Sequence, residues 1–402
     1  MADDTGPTVP DSTREQRGRY PAHATWEKVV SFPGTVASLP FVLVFKTAEG
    51  VAGLIHSQQL IPRTINLLMS DDGRTAIYPT FSNRSGAGLK FFHKDFLNPE
   101  AKLTLTATGA PSGRQRYRVE LKRIDLGTPV VRANLTGRYW NYPGEAFFGI
   151  GPETREGDRV GYDHERMDGE AWLDFRPHPN LTLHLLGGVE RSNIFAGTDE
   201  RTSITEVYSR ETLPGLQAGV ELGRVEAGLE FRSIDSEGQP TRGQELFLNG
   251  ARYRDLRGDR YDFTRWSGEV RQYVELFARR VVMLRVHAAF TDPVDDGDAV
   301  PFFLLHSIGR RETIRGFDRG RFHDLDKIEA TIEYRIPLWR KLDFTLFAEA
   351  GQVAGDLFEE LERERVVVSG GFGLRLFTVE EVVAQLQLAV SRERVRVYFN
   401  LF

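Results

Sequence analysis

From about residue 87 to the last residue, apolar and polar positions alternate with a period of two. Leu103, Leu105 and Ala107 are interleaved with Thr104, Thr106 and Thr108, and Tyr117, Val119 and Leu121 with Arg116, Arg118, Glu120 and Lys122. The alternation is cleanest late in the chain, where Ile328, Ala330, Ile332, Tyr334 and Ile336 oppose Lys327, Glu329, Thr331, Glu333 and Arg335. A period of two is the mark of a β-strand, whose successive side chains point to opposite faces. Candidate strands fall at 85–96, 101–109, 114–124, 130–140, 163–176, 181–193, 212–222, 224–234, 244–255, 264–277, 281–292, 325–336, 341–354, 366–377, 382–391 and 394–402.

Strand length separates two all-β classes. Strands of soluble sheets average about 5–6 residues, whereas many of these run for roughly nine to twelve, enough to cross a bilayer at a tilt of about 45°. The face that carries charge at every second position is unfit for a dry core. The predicted fold is therefore an all-β, 16-stranded antiparallel transmembrane β-barrel over residues 73–402. First and last strands are expected to pair, because each unpaired edge amide in hydrocarbon costs several kcal/mol.

The N-terminal part lacks this period. Residues 1–25 read as a disordered polar tail, and Met1 to Tyr20 lack the basic-then-apolar order of a secretory signal. Residues 26–72 hold short apolar stretches broken at Pro33, Pro40 and Pro62, read as a short amphipathic helical periplasmic segment. It is expected to lie on the barrel base or membrane surface, to enter the lumen, or simply to cap the barrel end. Long loops of such barrels lie outside and short turns in the periplasm. Pro337 to Arg340 and Thr378 to Glu381 are short while Gly355 to Arg365 is longer, which makes the long segment 293–324 extracellular in origin and both termini periplasmic.

Composition removes alternatives. Residues are 40% hydrophobic and 27% charged, without the run of about eighteen apolar residues that a spanning helix needs. The 52 basic and 57 acidic residues give a net charge of −5, no footprint for nucleic acid. No cysteine is present, which excludes disulfides and thiolate metal sites. Nucleophile-elbow, zincin and phosphate-loop patterns are absent, and His178, His184, His287 and His306 are scattered. Neither catalytic residues, metal nor cofactor is expected. Trp140, Trp172, Trp266 and Trp339 are candidates for interface girdles, although Trp140 and Trp172 share the parity of polar positions.

The segment from Val300 to Phe322 reads VPFFLLHSIGRRETIRGFDRGRF. Together with Glu333-Tyr334-Arg335-Ile336-Pro337-Leu338, Phe347-Ala348-Glu349-Ala350-Gly351 and Gly371-Phe372-Gly373-Leu374-Arg375, it resembles the C-terminal barrel half of the Omp85 superfamily. Phe147-Phe148-Gly149-Ile150-Gly151 is similar to the aromatic-glycine segment of the same group. The resemblance implies that the tetrapeptide Ile314-Arg315-Gly316-Phe317 lies on a loop folded into the lumen, with Arg315 paired to an acid on the wall. Glu349 holds the matching acid position, on the face shared by Asp343, Thr345, Phe347 and Gly351. Gly316 would serve a tight turn and Phe317 pack the loop tip. The plainer reading leaves Arg315 solvated among Arg310, Arg311, Arg319 and Arg321.

Kinship further implies a bacterial outer-membrane protein that assists insertion or translocation of proteins or lipids at a seam between first and last strands. Gly86 and Gly88, read as lying on the first strand, would weaken pairing there; Tyr398, Phe399 and Phe402 supply the terminal aromatics. Val395, Val397, Phe399 and Leu401 form the apolar row, which puts Phe402 on the opposite parity. The alternative is a structural scaffold or passive pore. Implied partners are outer-membrane lipids and lipopolysaccharide, a periplasmic protein or lipoprotein, and client outer-membrane proteins. No β-α-α-β-β pattern precedes the strands, so a reduced form without POTRA domains is expected.

Overall fold

The computed structural model describes residues 69–402 except 83, 129, 199–200, 259, 311, 378–381 and 402. The expected tail 1–25, nearly all of the expected helical segment 26–72, and Phe402 thus lie outside the described residues.

Sixteen strands form one antiparallel sheet in chain order. They are β1 (Thr75–Ser82), β2 (Gly86–Lys94), β3 (Lys102–Gly109), β4 (Gln115–Asp125), β5 (Val131–Phe147), β6 (Val160–His178), β7 (Leu181–Ala196), β8 (Val220–Ile234), β9 (Gly243–Asp255), β10 (Phe263–Glu275), β11 (Val281–Pro293), β14 (Asp326–Trp339), β15 (Leu342–Ala354), β16 (Val367–Phe377), β17 (Val382–Ser391) and β18 (Val395–Leu401). The remaining strands, β12 (His306–Ile308) and β13 (Phe322–Asp324), make a small ribbon within the long connection from β11 to β14. No helix among the described residues is long and apolar enough to cross a membrane, which says nothing of crossing by strands.

The predicted strand number agrees with the sheet, but through two compensating differences. Residues 75–82 form a strand that the alternation did not mark, because Pro79 and the pair Thr80-Phe81 blur it; β1 pairs with β2 in unbroken register from Thr75↔His93 to Ser82↔Gly86. Conversely, 212–222 is not a strand of its own. Leu213 and Leu216 are buried in a loop cluster, and only Val220 to Leu222 belong to a strand, the start of β8. Gly86 and Gly88 consequently sit on the second strand, between β1 and β3, rather than at the sheet's edge.

Strand parity sorts the side chains as the alternation requires. Leu105, Val119, Leu185, Val225, Val270, Val286, Ile332 and Leu346 stand exposed on the convex face, far more apolar surface than a water-facing sheet carries. The concave face holds ion pairs instead, among them Arg138 with Asp168 at 2.6 Å, Arg224 with Glu170 at 2.7 Å, and Arg285 with Glu269 at 2.7 Å and with Glu329 at 2.9 Å. The tryptophans divide the same way. Trp266 and Trp339 are exposed, while Trp140 lies inside, stacked on Tyr142 at 4.7 Å.

Curling of the sheet brings its two ends together. Residues of β4, β5 and β6 border one interior cavity with Arg396 and Tyr398 of β18. Among the described residues no ladder joins β1 to β18.

Candidate functional site

The connection from β11 to β14 folds back onto the concave face, and its apolar residues explain why. Phe302 enters a cluster with Phe147, Tyr162 and Ile194; Val300 and Leu304 enter a second with Leu222, Tyr253 and Phe263; Ile308, Ile314, Phe317 and Phe322 enter a third with Val353 and Val367. Burying each such side chain contributes about 1.5–3 kcal/mol. The three clusters pin the loop to different sectors of the wall, and the carbonyl of Leu304 also accepts from Arg265.

At the loop tip, Arg315 and Glu349 meet. Arg315 Nη2 lies 2.6 Å and Nε 2.8 Å from Glu349 Oε1, while the Arg315 backbone N–H donates to Oε2 at 2.7 Å. Ser369 Oγ, on β16, donates to the same Oε2 at 3.0 Å. The guanidinium carbon stands 3.4 Å from the centroid of the Phe347 ring. Both charged residues are only 5% exposed. A buried pair is sustained only where further hydrogen bonds satisfy both partners, and here Glu349 accepts from four donor atoms. The solvated alternative for Arg315 is thus not what the structure contains.

Two glycines make this approach possible. Gly316 has φ 89°, a left-handed conformation that glycine alone adopts without strain, and a Cβ there would lie 3.0 Å from Ser391 Cβ. At Gly351 a Cβ would come within 2.7 Å of Ile314 Cδ1, so the bare backbone of β15 seats the first residue of the tetrapeptide. Phe317 is 1% exposed and packs edge-on to Phe322 at 5.6 Å.

The loop is also tied to the last strands. The Gly316 N–H donates to Tyr398 Oη at 3.0 Å, and Ser391 Oγ donates to the Gly316 carbonyl at 2.9 Å. Arg396 pairs with Asp318. Tyr398 therefore faces inward to the motif, whereas Phe399 is 57% exposed on the convex side. These two seam candidates serve opposite faces.

Arg321 is the residue whose part sequence reasoning did not see. It is 2% exposed; its Nε meets Glu393 Oε1 and Oε2 at 3.0 Å, and its remaining nitrogens donate to Thr154 Oγ1 at 2.9 Å and the Thr154 carbonyl at 2.6 Å. One side chain thereby joins the loop to the β5–β6 and β17–β18 connections. Its guanidinium also lies 4.4 Å over the Phe322 ring. Nearby in the chain, His323 is driven by burial down to about 3, which keeps the imidazole neutral, and burial raises the Asp324 carboxyl to about 6.

A sixteen-stranded antiparallel sheet, apolar outside, charged inside and filled by a folded loop, is the architecture of a bacterial outer-membrane β-barrel. Residues 198–378 match the model of the Omp85 superfamily domain. Among solved structures, BamA from Haemophilus ducreyi lacking POTRA domains 1-3 is similar with a TM-score of 0.61 at 15% identity, over 82% of this chain and 70% of that one. CdiB from Acinetobacter baumannii and CdiB from Escherichia coli each give 0.52, at 12% and 11% identity over 81% of this chain. The chain spans 58% and 61% of those two, less than two thirds of their length. At such identities the likeness establishes the fold. No curated protein matches the chain in sequence.

Proposed function

We propose that this barrel assists the insertion or translocation of proteins or lipids in the bacterial outer membrane, with the seam between β1 and β18 as the working element and both termini periplasmic. The observation that carries the reading is the contrast at the sheet's ends. Every other neighbouring pair of strands shares a ladder, yet β1 and β18 share none among the described residues. β18 is instead held from inside, where Tyr398 and Arg396, with Ser391 at the adjoining turn, bond to Gly316 and Asp318 of the inserted loop. An edge held by side chains presents unpaired amides to an incoming strand and locally lowers the cost of putting polar backbone into lipid. The fitting partners are outer-membrane lipids and lipopolysaccharide, client outer-membrane proteins, and a periplasmic protein or lipoprotein that delivers them. A passive pore is the weaker reading, because the loop fills the interior.

The test uses the absence of native cysteine. Phe81→Cys and Val395→Cys, outward residues at the matching ends of β1 and β18, would be linked by oxidation in proteoliposomes. Accelerated insertion of an unfolded barrel client by the reduced protein, abolished by the crosslink and restored by reductant, is the expected result. Equal insertion in all three states, or none above empty liposomes, would overturn the proposal.

A further inference from the structure

A cavity of about 630 Å3 lies inside the seam, between the loop, β4 to β6 and β18. Eight arginines border it against two carboxylates, those of Asp168 and Glu312. The acids behind the arginines are shared. Glu145 receives Arg84 at 2.7 Å and Arg114 at 3.1 Å, Asp168 receives Arg138 at 2.6 Å and Arg166 at 3.2 Å, and Asp318 receives both Arg394 and Arg396. Among the described residues the Arg310 side chain donates only to a hydroxyl, Ser307 Oγ at 3.1 Å. Arg319 has neither an ion pair nor a hydrogen bond among the described residues, and its head is open to the cavity.

The second observation concerns individual donors. Among the described residues the Nε atoms of Arg84, Arg118, Arg310 and Arg396 are buried without an acceptor, and all four residues border this one cavity. An unpaired buried donor costs about 1–3 kcal/mol, more when charged. The crowding of eight guanidinium groups around one space points to an anionic acceptor, and the planar fork of arginine matches phosphate oxygens two at a time. The volume falls within the roughly 300–1,000 Å3 of small-ligand sites. Trp140 and Tyr142 add a stacked aromatic wall.

The arginines come from both ends of the sheet. Arg84 lies in the β1–β2 turn and Arg118 on β4, Arg396 lies on β18, and Arg310 and Arg319 belong to the loop. We propose that the cavity binds a multiply phosphorylated anion, which clamps the loop and β18 to the first strands from within the barrel. Its source is a soluble polyphosphate or the phosphorylated sugar headgroup of an outer-membrane lipid. The proposal stands on the cavity alone and does not require insertion activity.

The experiment titrates tripolyphosphate, and separately a phosphorylated glycolipid and its dephosphorylated counterpart in micelles, into the full chain in detergent at fixed ionic strength. Heat release and thermal unfolding are followed. Saturable binding with a raised unfolding temperature is expected, weakened about tenfold or more by Arg319→Gln and unchanged by Arg254→Gln, an exposed arginine outside the cavity. Tripolyphosphate binding supports the site with a soluble source; binding of the phosphorylated glycolipid alone supports it with a headgroup. No saturable binding of either, or equal weakening in both variants, overturns it. Retained heat-modifiable migration of Arg319→Gln on gels shows that the fold is intact.

Discussion

Among single residues, Arg315 and Glu349 form a pair in which both charges are buried and one carboxylate accepts from the guanidinium, a backbone N–H and a hydroxyl. Breaking a buried pair by removing one partner costs about 3–5 kcal/mol, since the other charge is left unneutralised. Glu349→Arg is therefore expected to prevent seating of the loop, read as loss of heat-modifiable migration on gels. Adding Arg315→Glu should restore folding only in part. The reversed carboxylate would face the Phe347 ring that now receives the guanidinium, and the Arg315 backbone N–H and Ser369 would lose their acceptor. Absence of any rescue would count against the ion pair as the source of the loss. Asp324, in the inserted loop, offers a pH test. Burial, reinforced by the nearby carboxylates of Glu360 and Asp326, raises its carboxyl to about 6 from an ordinary 3.8. The folded protein thus keeps a proton that the unfolded chain releases over that interval. This stabilisation is complete below the ordinary value and is lost as pH rises through about 6. Asp324→Asn should raise the unfolding temperature at pH 8 relative to wild type and leave it nearly unchanged at pH 4; the same difference at both pH values would exclude the carboxyl's charge as the cause.

For strands and loops, what the sequence disclosed follows from how local the cause is. Alternation is a nearest-neighbour property, so the long strands β14 and β15 were legible to within three residues, and the parity that puts Glu349 inward was legible too. Two elements escaped for the same reason. β1 alternates poorly around Pro79, yet a continuous ladder to β2 holds it; Leu213 and Leu216 mimic a strand while their burial comes from packing against Phe302, distant in sequence. The partners of Arg321 illustrate the limit. Glu393 is 72 residues away and Thr154 is 167, and nothing near Arg321 in the chain distinguishes it from Arg319, which ends in the cavity instead. Tyr398 was half legible: the outward row of Val395, Val397 and Phe399 requires it to face inward, but its partner, the Gly316 N–H, belongs to an element whose path only the folded loop determines.

Around the full circumference of the barrel, stability is distributed unevenly. β5, β6 and β7 hold 17, 19 and 16 residues, while β1 and β18 hold 8 and 7. Each terminal strand shares one ladder, and the free energy of local opening rises with the hydrogen bonds and packing that must be broken. Hydrocarbon opposes this, since an unpaired amide in lipid costs several kcal/mol; the ends must find water, each other or a client strand. Amide exchange in lipid nanodiscs distinguishes these cases. With the seam open, amides of β18 should exchange much faster than those of β6, and Tyr398→Phe, which removes the hydroxyl accepting from Gly316, should speed β18 further while leaving β15 unchanged. Protection of β1 and β18 equal to that of β5 to β7 would mean that the ends are zipped together in the bilayer. The barrel would then be closed at rest, and insertion would have to begin with a partner or ligand that opens it.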